Sequence, residues 1–177
     1  QRLSRGLGDV YKRQVMGLLP IYASDILGVG PDGLGLMRAM PGVGALFMGL
    51  ALAQIAHPRY VGATMFITLA LFGASIVIFS LSTVFWISLV ALAIYGASDM
   101  VSVYIRLTLV QLATPDEMRG RVSAVNSISI NASNELGDFR AGLMASGFGT
   151  VPAVLIGGIA TFAVVGVWMK VFPDLVK

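Results

Sequence analysis

The stretch "VFWISLVALAIYGASDMVSVYIRLTLVQLATPDEMRGR", residues 84–121, decides the fold. Residues 84–112 are long and apolar enough to cross a bilayer as a helix, which takes about 20 residues. Asp99 and Arg106 nevertheless lie inside that run, and the polar turn "TPDEMRGR" closes it. An ionised group near the bilayer centre costs about 2.5 kcal/mol or more, so it persists only against a partner or water. The stretch therefore reads as a spanning helix with one polar face, followed by a charged turn at the membrane surface.

Four more segments reach spanning length: 33–56, 60–81, 122–148 and 151–171. A shorter one, 15–28, contains Pro20 and Asp25 and reads as the remnant of a longer helix. The chain is 56% hydrophobic and 12% charged, with a mean hydropathy of +0.85. A soluble domain of this length could not hide so much apolar surface. The sequence lacks the ten-residue alternating segments of a membrane β-barrel. The fold class is thus all-α, integral membrane.

Residues 1–14, "QRLSRGLGDVYKRQ", stand apart: polar, basic and without the apolar stretch of a signal peptide. Ser4 to Gln14 match, residue for residue, the translation of a sequencing-library transposon adapter, so 1–14 reads as an adapter-derived artefact with no role in the fold. The transmembrane bundle is then 15–177. The artefact holds Arg2, Arg5, Lys12 and Arg13 against Asp9; subtracting it from 12 basic and 9 acidic residues leaves eight of each. The basic balance consequently points to no nucleic-acid partner.

Charge alternates along the connections. "HPRY" (57–60) and "TPDEMRGR" (114–121) carry arginine, and the end carries Lys170 and Lys177. The connections "GVGPDG", "STV" and "FGTV" carry neither lysine nor arginine. The positive-inside rule puts the arginine turns and the C-terminus in the cytoplasm. In the second of those turns, Thr114, Pro115 and Glu117 have the spacing of a helix start with a capping box. Asp116, Glu117, Arg119 and Arg121 make this loop a candidate for contacts that break and remake between states; lipid headgroup anchoring is the plainer role.

Two helices carry polar stripes. On 84–112, Ser88, Tyr95, Asp99, Ser102 and Arg106 fall along one face. On 122–148, Ser127, Asn131, Asn134, Glu135 and Asp138 form another. Asp99 and Glu135 fall near mid-membrane, and two carboxylates converging there compete for a proton, as proton-coupled transport requires. Asp99, Glu135, Arg106, Asn131, Asp138 and Tyr95 are the candidates for a proton or substrate pathway. Structural ion pairs are the alternative, with Arg38 and Asp138 at similar depth from the outer side. Arg140 lies about 200° around the helix from Asp138 and so either meets another helix or snorkels outward. Segments 60–81 and 151–171 hold no charge before Lys170 and read as peripheral. Pro41 and Gly42 bend 33–56, and Ala45, Gly49 and Ala53 give it a small-residue packing stripe.

Other signals fail. "GVGPDG" fits G-x-G-x-x-G, but no strand precedes it, so it reads as a tight turn. His57 is the sole histidine and cysteine is absent, which leaves no metal site, cofactor or catalytic triad to propose. The sequon at Asn131 lies within a crossing.

"DILGVGPDGLGLMRAMPGVGA", "GASDMVSVYIRLTLVQLATPDEMRGRVSAVNS" and "SNELGDF" resemble the C-terminal half of the major facilitator superfamily. The likeness is greatest to the bacterial branch of enterobactin-exporter-like and macrolide-efflux-like transmembrane secretion effectors, and it covers nearly all of 15–177. It implies a six-helix half of a twelve-helix fold, with the truncated 15–28 as seventh helix and the missing N-terminal half as partner. The resemblance places Asp99 and Arg106 near the central cavity, and Glu135, Asp138 and Arg38 at the interface between halves. The expected function is a proton-coupled exporter (an antiporter) of small amphiphilic, siderophore- or drug-like molecules in the bacterial inner membrane, contacting lipid. An importer of the same fold, a membrane scaffold and an intramembrane enzyme are the competing expectations.

Overall fold

The computed structural model describes residues 15–54, 61–112 and 114–171. The adapter-like residues 1–14, the "HPRY" turn and Lys177 lie outside them. The described residues form six helices: α1 (Val15–Ile26), α2 (Pro31–Gln54), α3 (Val61–Leu81), α4 (Phe85–Leu112), α5 (Arg119–Phe148) and α6 (Thr150–Val171). Among the described residues, α2 and α4 are long and apolar enough to span a membrane by length and composition alone, while α1, α3 and α6 contribute shorter apolar stretches. The polar stripe on α5 keeps that helix from meeting the same criterion.

Local chemistry sets the ends. The last turn of α1, Tyr22–Ile26, is π-helical. Gly28 then takes φ 60°, a left-handed conformation that favours glycine. Pro31 opens α2, where its missing N–H is no loss, and Asp32 complements the positive helix start. The capping box expected at Thr114 does not form. Pro115 adopts ψ 147°, a 3₁₀ turn follows at Asp116–Met118, and α5 starts at Arg119. Pro115 cannot donate to the end of α4, so the Thr114 hydroxyl turns back and donates to the Val110 carbonyl at 2.6 Å.

Packing is tightest between α2 and α4. A Cβ on Gly44 would strike the Ala93 carbonyl, and one on Gly96 would strike the Pro41 carbonyl. The two backbones touch there, as small residues allow in membrane helices, with geometry suited to paired Cα–H···O contacts. The small-residue stripe expected on α2 is thus displaced: Gly44 makes the contact, Ala45 and Gly49 are half-buried, and Ala53 is exposed. Elsewhere α3 packs along α4 and α6, and Gly158 of α6 lets Ile76 and Val77 of α3 come close.

The core gathers around α1, α3 and α4. The Tyr22 ring lies 4.7 Å from that of Phe79, and its hydroxyl donates to the Ser80 carbonyl at 3.0 Å. Buried hydroxyls largely satisfy themselves along their own helix, as with Ser75 to Phe72 at 2.7 Å and Thr161 to Gly157 at 3.0 Å. The Tyr22–Phe79 contact gives a first prediction. In lipid an unfolded Phe79 is already solvated by hydrocarbon, so Phe79→Ala loses mainly the cavity term. At about 24 cal/mol per Å³, a void of roughly 100 Å³ costs about 2.4 kcal/mol. Tyr22→Phe, which removes one buried hydrogen bond, should cost about 1 kcal/mol. Thermal unfolding in detergent measures the ratio.

Candidate functional site

The α4 stripe divides along its length. In its first half Ser88 is buried and donates to the Ser82 hydroxyl at 3.1 Å. Tyr95 is also buried, with its ring 4.8 Å from Phe72 of α3. These two side chains belong to the packed core. In the second half Asp99, Ser102 and Arg106 are half-buried. The Asp99 Oδ1 atom is sealed from solvent, and Arg106 Nε donates to the Ser102 carbonyl at 3.3 Å.

On α5 the division runs around the helix. Ser127, Asn131 and Glu135 are exposed, while Asn134 and Asp138 are half-buried. Gly137 and Ala141 are buried beside Asp138 and define the inward face. The Asp138 Oδ1 atom is sealed and lies 3.5 Å from the Cβ position of Gly17 on α1. Arg140 is half-buried with its Nε sealed. Arg38 is exposed on α2, whereas the Asp138 carboxylate sits against α1.

Among α2 to α6, the packed seam of α5 runs along α6. Among the described residues, Asp99 and Glu135 sit on helices that share no extensive seam. Depth along each helix follows from sequence, but the role of Gly17 as the surface under Asp138 had no signal in periodicity or composition. Asp116, Glu117, Arg119 and Arg121 are all exposed, and Arg119 pairs with Asp116 at 2.8 Å. An exposed pair of this kind contributes about 1 kcal/mol or less. Among the described residues no group of three or more His, Cys, Asp or Glu could hold a metal ion.

What this arrangement offers is a row of hydrogen-bonding groups on an open face of α5, with the half-buried Asp138 carboxylate on the same helix, in an otherwise apolar bundle. The profile of the transmembrane secretion effectors matches residues 9–174 of the chain. The chain belongs to that family, within the major facilitator superfamily. No curated protein matches it. The matched range begins inside the adapter-like stretch. As a secretion effector the chain is part of a membrane transporter rather than an enzyme, and its all-helical architecture agrees with the fold the loop motif implied.

Proposed function

We propose that the chain is the C-terminal six-helix half of a proton-coupled exporter of small amphiphilic, siderophore- or drug-like molecules. It works in the bacterial plasma membrane, with the Arg119–Arg121 end and the C-terminus cytoplasmic. A companion six-helix half supplies the other wall of the path, and alternating access comes from rocking the halves about a midplane site. The observation that carries the reading is the exposed stripe of Ser127, Asn131 and Glu135 on α5. Polar side chains facing hydrocarbon are unfavourable, so this face belongs against water or a polar partner. The exposed apolar residues Phe47, Ile67, Leu71 and Trp86 belong against lipid or a companion helix.

Vesicles test it. The chain co-reconstituted with a companion half should move an amphiphilic bis-benzimide dye or a catecholate siderophore saturably when a proton gradient is imposed. The chain alone should give the flux of empty vesicles, because half of the cavity wall is absent. Saturable flux by the chain alone, or gradient-independent leakage by both preparations, defeats the reading.

A further inference from the structure

The seam between α3 and α4 carries an open slot. Ile78 of α3 forms one side, and Trp86, Ile87, Val90 and Ile94 of α4 form the other, around a volume of about 300 Å³. Ala91 is buried between these exposed side chains and makes the floor. The sequence explains the hollow: Ala91 presents a single methyl where its neighbours on that face present branched or aromatic side chains. Apart from the indole N–H of Trp86, the lining side chains are pure hydrocarbon.

Its dimensions choose the occupant. Along α4 the lining runs from Trp86 to Ile94, about 12 Å at 1.5 Å per residue. One turn further the same face closes, since Ser98 and Val101 are buried. The slot therefore reaches across about one leaflet, half of a hydrocarbon core some 30 Å thick. Spread over that length, its volume leaves a channel about 5 Å across. A companion helix, about 10–12 Å wide with its side chains, does not enter it and would need a groove through both leaflets. One polymethylene chain does enter, with carbon–carbon contacts of about 4 Å to both sides.

The open end lies beside residues 82–84, where α3 gives way to α4. Trp86 stands there, exposed, with its ring held edge-on by Phe85 at 5.8 Å, and Phe85 in turn packs against the core. An indole at a helix end suits the headgroup level of a bilayer, its apolar body inward and its N–H toward water. We propose that the slot seats one acyl chain of a bilayer phospholipid, with the ester beside Trp86 and the methylenes over Ala91 toward Ile94. The seated chain completes the packing of the α3–α4 seam. This site needs only a membrane-spanning bundle, so it stands apart from the exporter reading.

Trp86 and Trp168 are the two tryptophans of the chain, so Trp168→Phe leaves Trp86 as the sole reporter. The 177-residue chain is held in brominated detergent, which quenches an indole that it touches, and straight-chain phosphatidylcholine is added. Recovery of Trp86 fluorescence should saturate near one lipid per chain. The control reporter carries Trp86→Phe, Trp168→Phe and Leu71→Trp; Leu71 is exposed on α3, about two turns from Ile78 and outside the slot. There recovery should follow bulk lipid, with an affinity about threefold or more below that at Trp86, because only the slot offers contacts on both sides. Ala91→Leu, which fills the floor, should bring Trp86 down to the control. Should circular dichroism show that variant unfolded, Ile87→Ser alters the exposed lining without touching the core and should weaken the same recovery. Methyl-branched phosphatidylcholine, with the same headgroup and a wider chain, should not saturate. Equal recovery at the two reporters overturns the proposal, as does full recovery in a folded Ala91→Leu chain or equal binding of the branched lipid. Loss of the site on adding a companion half, or its dependence on chain concentration at fixed lipid, assigns the slot to a protein partner and overturns it as well. Vesicle flux is a separate measurement, so the transporter reading stands or falls independently.

Discussion

Gly96→Ala should destabilise the bundle by about 2 kcal/mol or more, while Gly142→Ala should be neutral or stabilise it by about 0.5–1 kcal/mol. Chemically the two substitutions are the same. In an exposed helix interior, replacing glycine by alanine removes backbone entropy from the unfolded chain and favours the helix. That is the expectation at Gly142, where a Cβ meets nothing within 4 Å. At Gly96 the new methyl arrives on the Pro41 carbonyl, and backbone cannot move aside as the end of a flexible side chain can. Helices α2 and α4 must then separate along the crossing that Gly44 and Gly96 share. The separation forfeits dispersion contacts on both sides and the Cα–H···O pairs. Unfolding in detergent, followed by far-ultraviolet circular dichroism, reads the sign of each change. Equal effects at the two sites would mean that the α2–α4 contact is not what holds the crossing.

The contrast also shows where sequence reasoning ends. Gly44, Gly96 and Gly142 all sit within apolar helical runs, and nothing local separates them among the 21 glycines of the chain. What differs is the partner that each one meets, which is a property of packing. The all-helical, six-helix architecture was legible because segment length and hydropathy constrain it together. The start of α5 was misread because the Thr114 spacing satisfies a capping pattern. The stronger demand came from the preceding helix, whose last carbonyls Pro115 could not serve. On α4, period 3.6 put Tyr95 and Asp99 on one face, but that face is shared between core and opening. Its burial and the Phe72 stacking assign Tyr95 to the core.

Neutralising the half-buried acid should separate stability from transport. Asp99 carries a carboxylate oxygen sealed from solvent on a helix long and apolar enough to span the membrane. Asp99 has an interaction partner within the bundle, and Asp99→Asn keeps the shape and one acceptor oxygen, so it should leave the thermal midpoint nearly unchanged. In the chain assembled with its companion half, the same variant should lower proton-driven flux by about tenfold or more, equivalent to some 1.4 kcal/mol of lost coupling. The remaining flux should lose its response to the imposed gradient, because no proton is exchanged at that site. Glu135 is exposed on α5. Glu135→Gln should therefore change stability little, and its effect on flux should appear as altered affinity for cargo along the open face. A scaffold predicts the reverse for Asp99: a lower midpoint from a lost structural contact, with flux indistinguishable from empty vesicles before and after. Measuring midpoint and gradient-dependent flux on the same preparations decides between them, since folding damage lowers both together whereas loss of a proton site lowers flux alone.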